Sequence, residues 1–207
     1  MAITLLKKDF KWLEENHPSL KFDVFKNQIN GTVSFSRIFK EISIFDTYNI
    51  SIGLNNPKAL SIIPTVKETG ERIGRVAKEV GRKLVDMHVN EDGTLCLCIY
   101  EKEREYFPEG FDLIVFFDQL LEPYLFWISY IEKYHKPPWD EYAHGRLGYL
   151  ELFADGEIDL ARLNEIIPKE EIENYKKMKG HVPCPCNGDR KLRNCHTKIY
   201  NAIYLLK

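Results

Sequence analysis

FDVFKNQINGTVSFSRIFKEISIFDTYNISI, residues 22–52, steps between apolar and polar side chains with a period of two. Val33 and Phe35 lie either side of Ser34, and Ile42 and Ile44 either side of Ser43. Tyr48, Ile50 and Ile52 alternate with Asn49 and Ser51. Successive residues of a strand point to opposite faces, so each apolar set lines one face of a sheet. A turn at Asp46-Thr47 completes the expected antiparallel meander. Upstream, Leu5, Leu6, Phe10 and Leu13 recur at helical spacing and Pro18 closes the segment, which predicts a helix over 4–16. Downstream, Ala59 to Val66 reads as a further strand interrupted by Pro64. Residues 69–87 are charged and carry Gly70, Gly74 and Gly81, and read as a loop with a helical turn. His88 to Ile99 reverses at Glu91-Asp92-Gly93. Phe111 to Tyr134 is apolar and long enough for a buried helix, broken at Pro123 and ended by Pro137-Pro138. Residues 157–178 give one or two amphipathic helices, and Ile199 to Leu206 a short last one. This order of elements predicts an α+β fold.

With 207 residues, 44% hydrophobic and 13% aromatic, the chain can bury a core and leave a short appendage. A net charge of −2 points to no global affinity for nucleic acid or membrane. The basic stretch Lys176, Lys177, Lys179, Arg190, Lys191 and Arg193 reads as a solvated face, and nucleic acid is not an expected partner. The acidic stretch Glu101, Glu103, Glu105 and Glu109 reads as a solvated loop. No run approaches the ~18 apolar residues of a membrane span. MAITLLKKDFKW lacks the order of a secretory leader. The expected compartment is therefore the cytoplasm, where disulfides are rare. The five cysteines, in two clusters, need another explanation.

One cluster is Cys184-Pro-Cys186, followed after eight residues by Cys195-His196. Three thiolates and one imidazole are a common structural set for zinc, which takes four such ligands in a tetrahedron. Gly188 supplies backbone freedom for the reversal between the two halves. A tail this short buries little apolar surface, so metal binding would supply its folding free energy, ~10 kcal/mol or more. His181 is read as a bystander. The spacing resembles the SEC-C motif, whose pattern is Cys-x-Cys, eight residues, Cys-His. The motif's usual glycine after the second cysteine is Asn187 here. The resemblance covers about the last thirty residues and implies a structural Zn2+ knuckle at 181–207 that recruits protein partners.

The other cluster lies in Met87-His88-Val89-Asn90-Glu91-Asp92-Gly93-Thr94-Leu95-Cys96-Leu97. A cysteine after a glycine turn, with an asparagine upstream, suits acyl or thioester chemistry. The thiolate is the attacking form and must be accessible, and an amide donor can stabilise the oxyanion that forms. Three readings stand together: Cys96 as a thioester nucleophile, Cys96 as a buried strand cysteine, and Cys96 with Cys98 as a redox or metal pair. Cys98 is read as structural.

These residues resemble the active-site stretch of ubiquitin-conjugating enzymes, in which His-Pro-Asn precedes Gly-x-Ile-Cys-Leu. The nearer resemblance is to bacterial members in CBASS-type anti-phage operons, matched by Pro64, Val66 and Glu68, by the compact cysteine stretch, and by His144-Gly145. Val89 replaces the family's proline, and the gap from Asn90 to Cys96 is short, which bears on the oxyanion role of Asn90. The resemblance implies a UBC-like meander sheet flanked by helices in a conjugating domain over 1–155, then a helical linker over 156–180. It implies Cys96 as the thioester carrier, Asn90 as oxyanion donor, and His88 as a residue that shapes the loop. No cofactor is implied at the cysteine. The implied protein partners are a ubiquitin-like modifier or a nucleotidyltransferase-type target, with an activating enzyme as the possible source of the thioester. A non-catalytic adaptor of the same fold is the reading from a different class.

Overall fold

The computed structural model describes residues 2–55, 61–139, 141–186 and 190–207, which form two compact units, Met1–Trp139 and Asp140–Lys207. In the first, helix α1 (Lys7–Asn16) precedes strands β1 (Leu20–Asp23), β2 (Gln28–Phe39), β3 (Ile42–Gly53) and β4 (Thr65–Glu68). The strands pair antiparallel in the order β1-β2-β3-β4, a four-stranded meander. Gly31 allows the closest approach in it, since a Cβ there would stand 2.1 Å from the Ser19 carbonyl oxygen. The helix begins at Lys7 rather than at residue 4, where the Leu6 amide donates to the Asp9 carboxylate at 2.7 Å. The β2–β3 reversal lies at Lys40-Glu41, both with positive φ (45° and 67°), and not at Asp46-Thr47. β3 runs unbroken through Asp46-Thr47, paired with Phe35 and Ser34. The strand expected from Ala59 starts only at Thr65, after Pro64, and its first residues lie outside the described ones.

Asp46 explains the misplaced turn. Its carboxylate accepts from Arg72 at 2.6 and 2.7 Å and from the Ser129 hydroxyl at 2.8 Å. Arg72 also donates to Glu132 and lies over the Tyr48 ring, 4.5 Å from its centroid. Burial opposes ionisation of Asp46, but these donors outweigh it and hold its carboxyl below the usual range. Arg72 opens α2 (Arg72–Glu79), a two-turn helix where the glycines suggested a loop. Its buried Ile73, Val76 and Ala77 follow helical spacing. A single-turn helix, α3 (Glu103–Tyr106), corrects the reading of the acidic stretch. Glu103 is buried, and accepts from the Ser61 hydroxyl at 2.8 Å and the Ile62 amide at 2.9 Å.

The long apolar run is helical throughout: α4 (Leu113–Val115), a π-helical stretch over Phe116–Leu121, then α5 (Glu122–Tyr134). Asp112 caps it, accepting from the Ile114 and Val115 amides at 2.9 and 3.1 Å. Pro123 stands in the first turn of α5, directly after the π stretch. A proline has no N–H to donate and crowds the carbonyl four residues back, and the wider π turn accommodates both. Leu125, Trp127, Ile128 and Ile131 are buried beneath the inner sheet face of Ile29, Val33, Tyr48, Ile50 and Ile52.

His17, at the C-cap of α1, is 5% exposed against the rings of Trp12 and Phe117. Its Nδ1 has no hydrogen-bond partner, and Nε2 is 3.6 Å from the Glu122 carboxylate. Burial lowers its pKa from 6.5 to about 4, so the ring is neutral at pH 7. The unfolded chain then binds the extra proton first. Stability is complete above the unfolded value and falls as pH drops from 6.5 through about 4. The expected loss is at most about 3 kcal/mol. Burial raises the pKa of Glu122, which acts in the opposite direction, so the wild-type profile alone does not isolate the histidine. On acidification the urea midpoint of wild type should fall relative to that of His17→Phe, whichever is higher at neutral pH. Parallel profiles would contradict the neutral, buried ring.

The second unit holds α6 (Arg146–Ala154), α7 (Leu160–Ile166), α8 (Lys169–Lys177), α9 (Leu192–Cys195) and α10 (Thr197–Leu205). Asp159 caps α7 through the Arg162 amide at 2.8 Å. α10 packs on α6, with Ile199, Ala202 and Ile203 buried on one element and Leu150 and Leu152 on the other. Residues 157–178, read as one or two helices, form two, separated at Ile167-Pro168. The whole is a mixed α/β protein with an antiparallel sheet. Among the described residues no helix is long and apolar enough to cross a membrane.

Candidate functional site

Two backbone segments build the metal centre. The Cys184 amide donates to the Arg190 carbonyl at 3.0 Å, the Leu192 amide to Val182 at 3.0 Å, and the Arg193 amide to Gly180 at 3.1 Å. Pro183 and Lys191 form an isolated antiparallel bridge in the same ladder. This pairing sets Cys184 and Cys186 on one side and the short α9 with its C-cap His196 on the other. The turn joining the segments, with Gly188, lies outside the described residues.

One ligand atom from each of Cys184, Cys186, Cys195 and His196 lies within 4.8 Å of all the others. Cys184 Sγ is 3.2 Å from His196 Nδ1, and the Cys186 and Cys195 sulfurs are 3.7 Å apart. A tetrahedron with metal–sulfur bonds of about 2.3 Å has sulfur–sulfur edges of about 3.8 Å, so the second distance is that of two thiolates on one ion. The three cysteines are free, unbridged by disulfide. Burial pushes the Cys184 thiol up to about 12 and raises Cys195 as well, as expected for sulfurs gathered without a cation. Burial lowers His196, which favours the neutral imidazole that a metal takes. The four residues can hold a metal ion. His181 is exposed and belongs to no such grouping among the described residues.

The cysteine hairpin, which follows α2 in the chain, docks back against β4. Leu95 donates its amide to the Val66 carbonyl at 2.8 Å, and Lys67 Nζ donates to the Asp92 carbonyl at 2.7 Å. Val89 and Leu95 form a bridge, and the Cys96 amide donates to the His88 carbonyl at 2.8 Å. The tip closes through Gly93 N–H to the Asn90 carbonyl at 2.9 Å and Asn90 N–H to the Thr94 carbonyl at 2.8 Å. Gly93 has φ of +79°, the left-handed residue that such a three-residue reversal needs. Asp92 secures it by accepting from the Thr94 amide and hydroxyl at 2.9 and 2.6 Å.

Cys96 is exposed on this hairpin, and the alternation that suggested a buried strand cysteine instead turns Leu95 into the core. Cys98 is half-buried and donates to the Ile99 carbonyl at 3.2 Å. Burial pushes its thiol up to about 12, with nearby Glu103 adding to the rise. Asn90 spends one amide hydrogen on the Thr94 hydroxyl at 3.0 Å. The His88 ring meets Trp127 edge-on, 5.5 Å between centroids, and its backbone has φ of 55°. Among the described residues no metal-type grouping includes Cys96 or Cys98. Native protein treated with iodoacetamide near neutral pH should be alkylated at Cys96 and spared at Cys98. Equal labelling of the two would contradict this placement.

The sequence missed Glu103, whose partners Ser61 and Ile62 lie some forty positions upstream, and whose run of acidic neighbours looked solvated. His144 precedes Gly145, the N-cap of α6 with φ of 58°, in the second unit. No family model matches the chain, and neither a curated protein nor a solved structure matches it.

Proposed function

We propose that the protein is a ubiquitin-conjugating-like cysteine acyltransferase with a structural zinc knuckle, acting in bacterial anti-phage defence. The exposed Cys96 sulfur, held on a hairpin whose backbone is pinned to β4, is the observation that carries this reading. The helix followed by a four-stranded meander supports it, as does the docking of the hairpin, which follows α2 in the chain, against the fourth strand. The Cys96 thiolate attacks the acyl carbon of a thioester on an activating enzyme. A new carbon–sulfur bond forms, the old one breaks, and the donor's thiolate leaves. An amine of the target then attacks the Cys96 thioester, giving an amide and returning the thiol after loss of the amine proton. Asn90 donates to the oxyanion in each step, which requires its amide to turn from Thr94 or to use its second hydrogen. Cys184, Cys186, Cys195 and His196 would hold a structural zinc ion that fixes the recruiting knuckle and supplies no chemistry to the transfer. On this reading the chemistry takes place in the cytoplasm, where both thiol sets would stay reduced.

The test is a Cys96→Ser chain expressed in its native cell. The serine should hold the modifier as an ester that thiols do not remove, whereas Cys98→Ser should behave as wild type. One specific observation favours the adaptor alternative: the Asn90 amide already bonds Thr94. That alternative expects no adduct on any variant and full function from Cys96→Ala.

A further inference from the structure

We propose that the basic cluster of the knuckle, Lys177, Lys179, Arg190, Lys191 and Arg193, binds the phosphate backbone of duplex nucleic acid, independently of any chemistry at Cys96. After Glu173 the sequence has one acidic residue, Asp189, against eight lysines and arginines. The ion pairs of the second unit use other cations: Lys176 with Glu173, Lys198 with Asp155, Arg162 with Glu165, and Arg146 with Glu171. The five named cations are exposed, and none makes an ion pair with a described carboxylate. The backbone ladder gathers them. Arg190, Lys191 and Arg193 lie on one segment, opposite Cys184, Pro183 and Gly180, and Lys179 adjoins Gly180. Lys177 ends α8 two residues earlier.

Duplex carries one charge per ~1.7 Å of axis, so a stretch of ~9 Å presents about five phosphates to such a cluster. The number of free cations matches that charge. Composition separates a nucleic acid from an acidic protein as the partner. Protein interfaces have an apolar centre with aromatic or aliphatic anchors. Among the described residues from 176 to 198, no large apolar side chain is exposed; the exposed ones in this unit are Leu160, Tyr204 and Leu205. A cationic surface without apolar anchors suits a partner held by charge alone. The near-zero net charge of the whole chain conceals this local concentration of unpaired cations.

The experiment is fluorescence anisotropy of a labelled mixed-sequence duplex of about 20 base pairs with the full, zinc-loaded chain. If all five cations meet phosphates, log K falls against log salt with a slope of about −4.5, so a fourfold rise in salt costs about 500-fold in affinity. R190A/K191A/R193A should flatten that slope to about −1.8 with zinc content unchanged by native mass spectrometry. K177A/K179A, outside the ligand-bearing stretch, should flatten it by about 1.8. Lys7→Glu, in the first unit, should leave it unaltered. Failure of wild type to bind at low salt would overturn the proposal. So would a slope that both multiple variants leave intact, or a polyglutamate peptide binding as tightly as the duplex.

Discussion

Chelating a metal held by Cys184, Cys186, Cys195 and His196, or replacing Cys184 with serine, is expected to unfold the paired segments 180–184 and 190–193 and abolish metal retention. The ladder from Gly180 to Cys184 and its partner from Arg190 to Arg193 contributes few apolar contacts of its own, although Leu192 is fully buried. Ion binding in such a module supplies ~10 kcal/mol or more, comparable with the 5–15 kcal/mol that stabilises a whole domain. Losing it leaves three buried or half-buried groups, Cys184, Cys195 and His196, with thiols and imidazole held together without a cation. α10 packs directly after His196, so its burial of Ile199, Ala202 and Ile203 should loosen with the site. The measurement is limited proteolysis with far-UV circular dichroism, before and after chelation. New cleavage after Lys191 or Arg193 and lost helix signal are expected, and both should reverse when zinc returns. Unchanged protection in metal-free protein would mean that apolar packing alone holds the tail.

The second large effect is at the hairpin. Cys96→Ala should abolish transfer outright, since no other exposed thiol lies on this loop and Cys98 is held protonated by burial. Asn90→Ala should lower the rate of aminolysis by about 100-fold, the scale of losing one oxyanion donor. Thr94→Val separates that role from simple loop support. It frees the Asn90 amide while removing the hydroxyl that Asp92 accepts. A rate equal to wild type or higher in Thr94→Val, with the Asn90→Ala loss intact, assigns Asn90 to the chemistry. Equal losses in both variants, with lowered melting temperatures, assign it to the hairpin. Single-turnover discharge of a preformed Cys96 thioester to lysine gives these rates free of the loading step.

The parts legible in the sequence are those whose physics is local. The period-two alternation at Val33–Phe35 and Tyr48–Ile52 marks strands because pleating itself imposes it, and the structure places both in the sheet. Metal ligation likewise depends on residue type and spacing, so Cys184, Cys186, Cys195 and His196 could be grouped before any coordinates. What failed depended on distant partners. Asp46-Thr47 has turn composition, yet Asp46 stays within β3 because Arg72 and Ser129, far along the chain, neutralise and bond it. The true reversal at Lys40-Glu41 uses two charged residues at positive φ, without the asparagine or glycine that usually marks such a turn. α2 was hidden by Gly70, Gly74 and Gly81, although Ile73, Val76 and Ala77 carried its periodicity. Exposure of Cys96 was legible only through the resemblance of its stretch to an acyl-carrying cysteine loop, not from the local pattern. Leu95, Leu97 and Cys98 around it read as interior, and only the hairpin's attachment to Val66 and Lys67 decides which side chains turn inward.

The sharpest test is the intact mass of wild-type chain purified from its native cell under denaturing conditions, with and without hydroxylamine at neutral pH. The expected result is a fraction carrying a protein-sized addition that hydroxylamine removes and that maps to Cys96. A chain that emerges unmodified from cells in which its partners are present, while Cys96 remains freely alkylated, would contradict an acyl-carrying role for that sulfur.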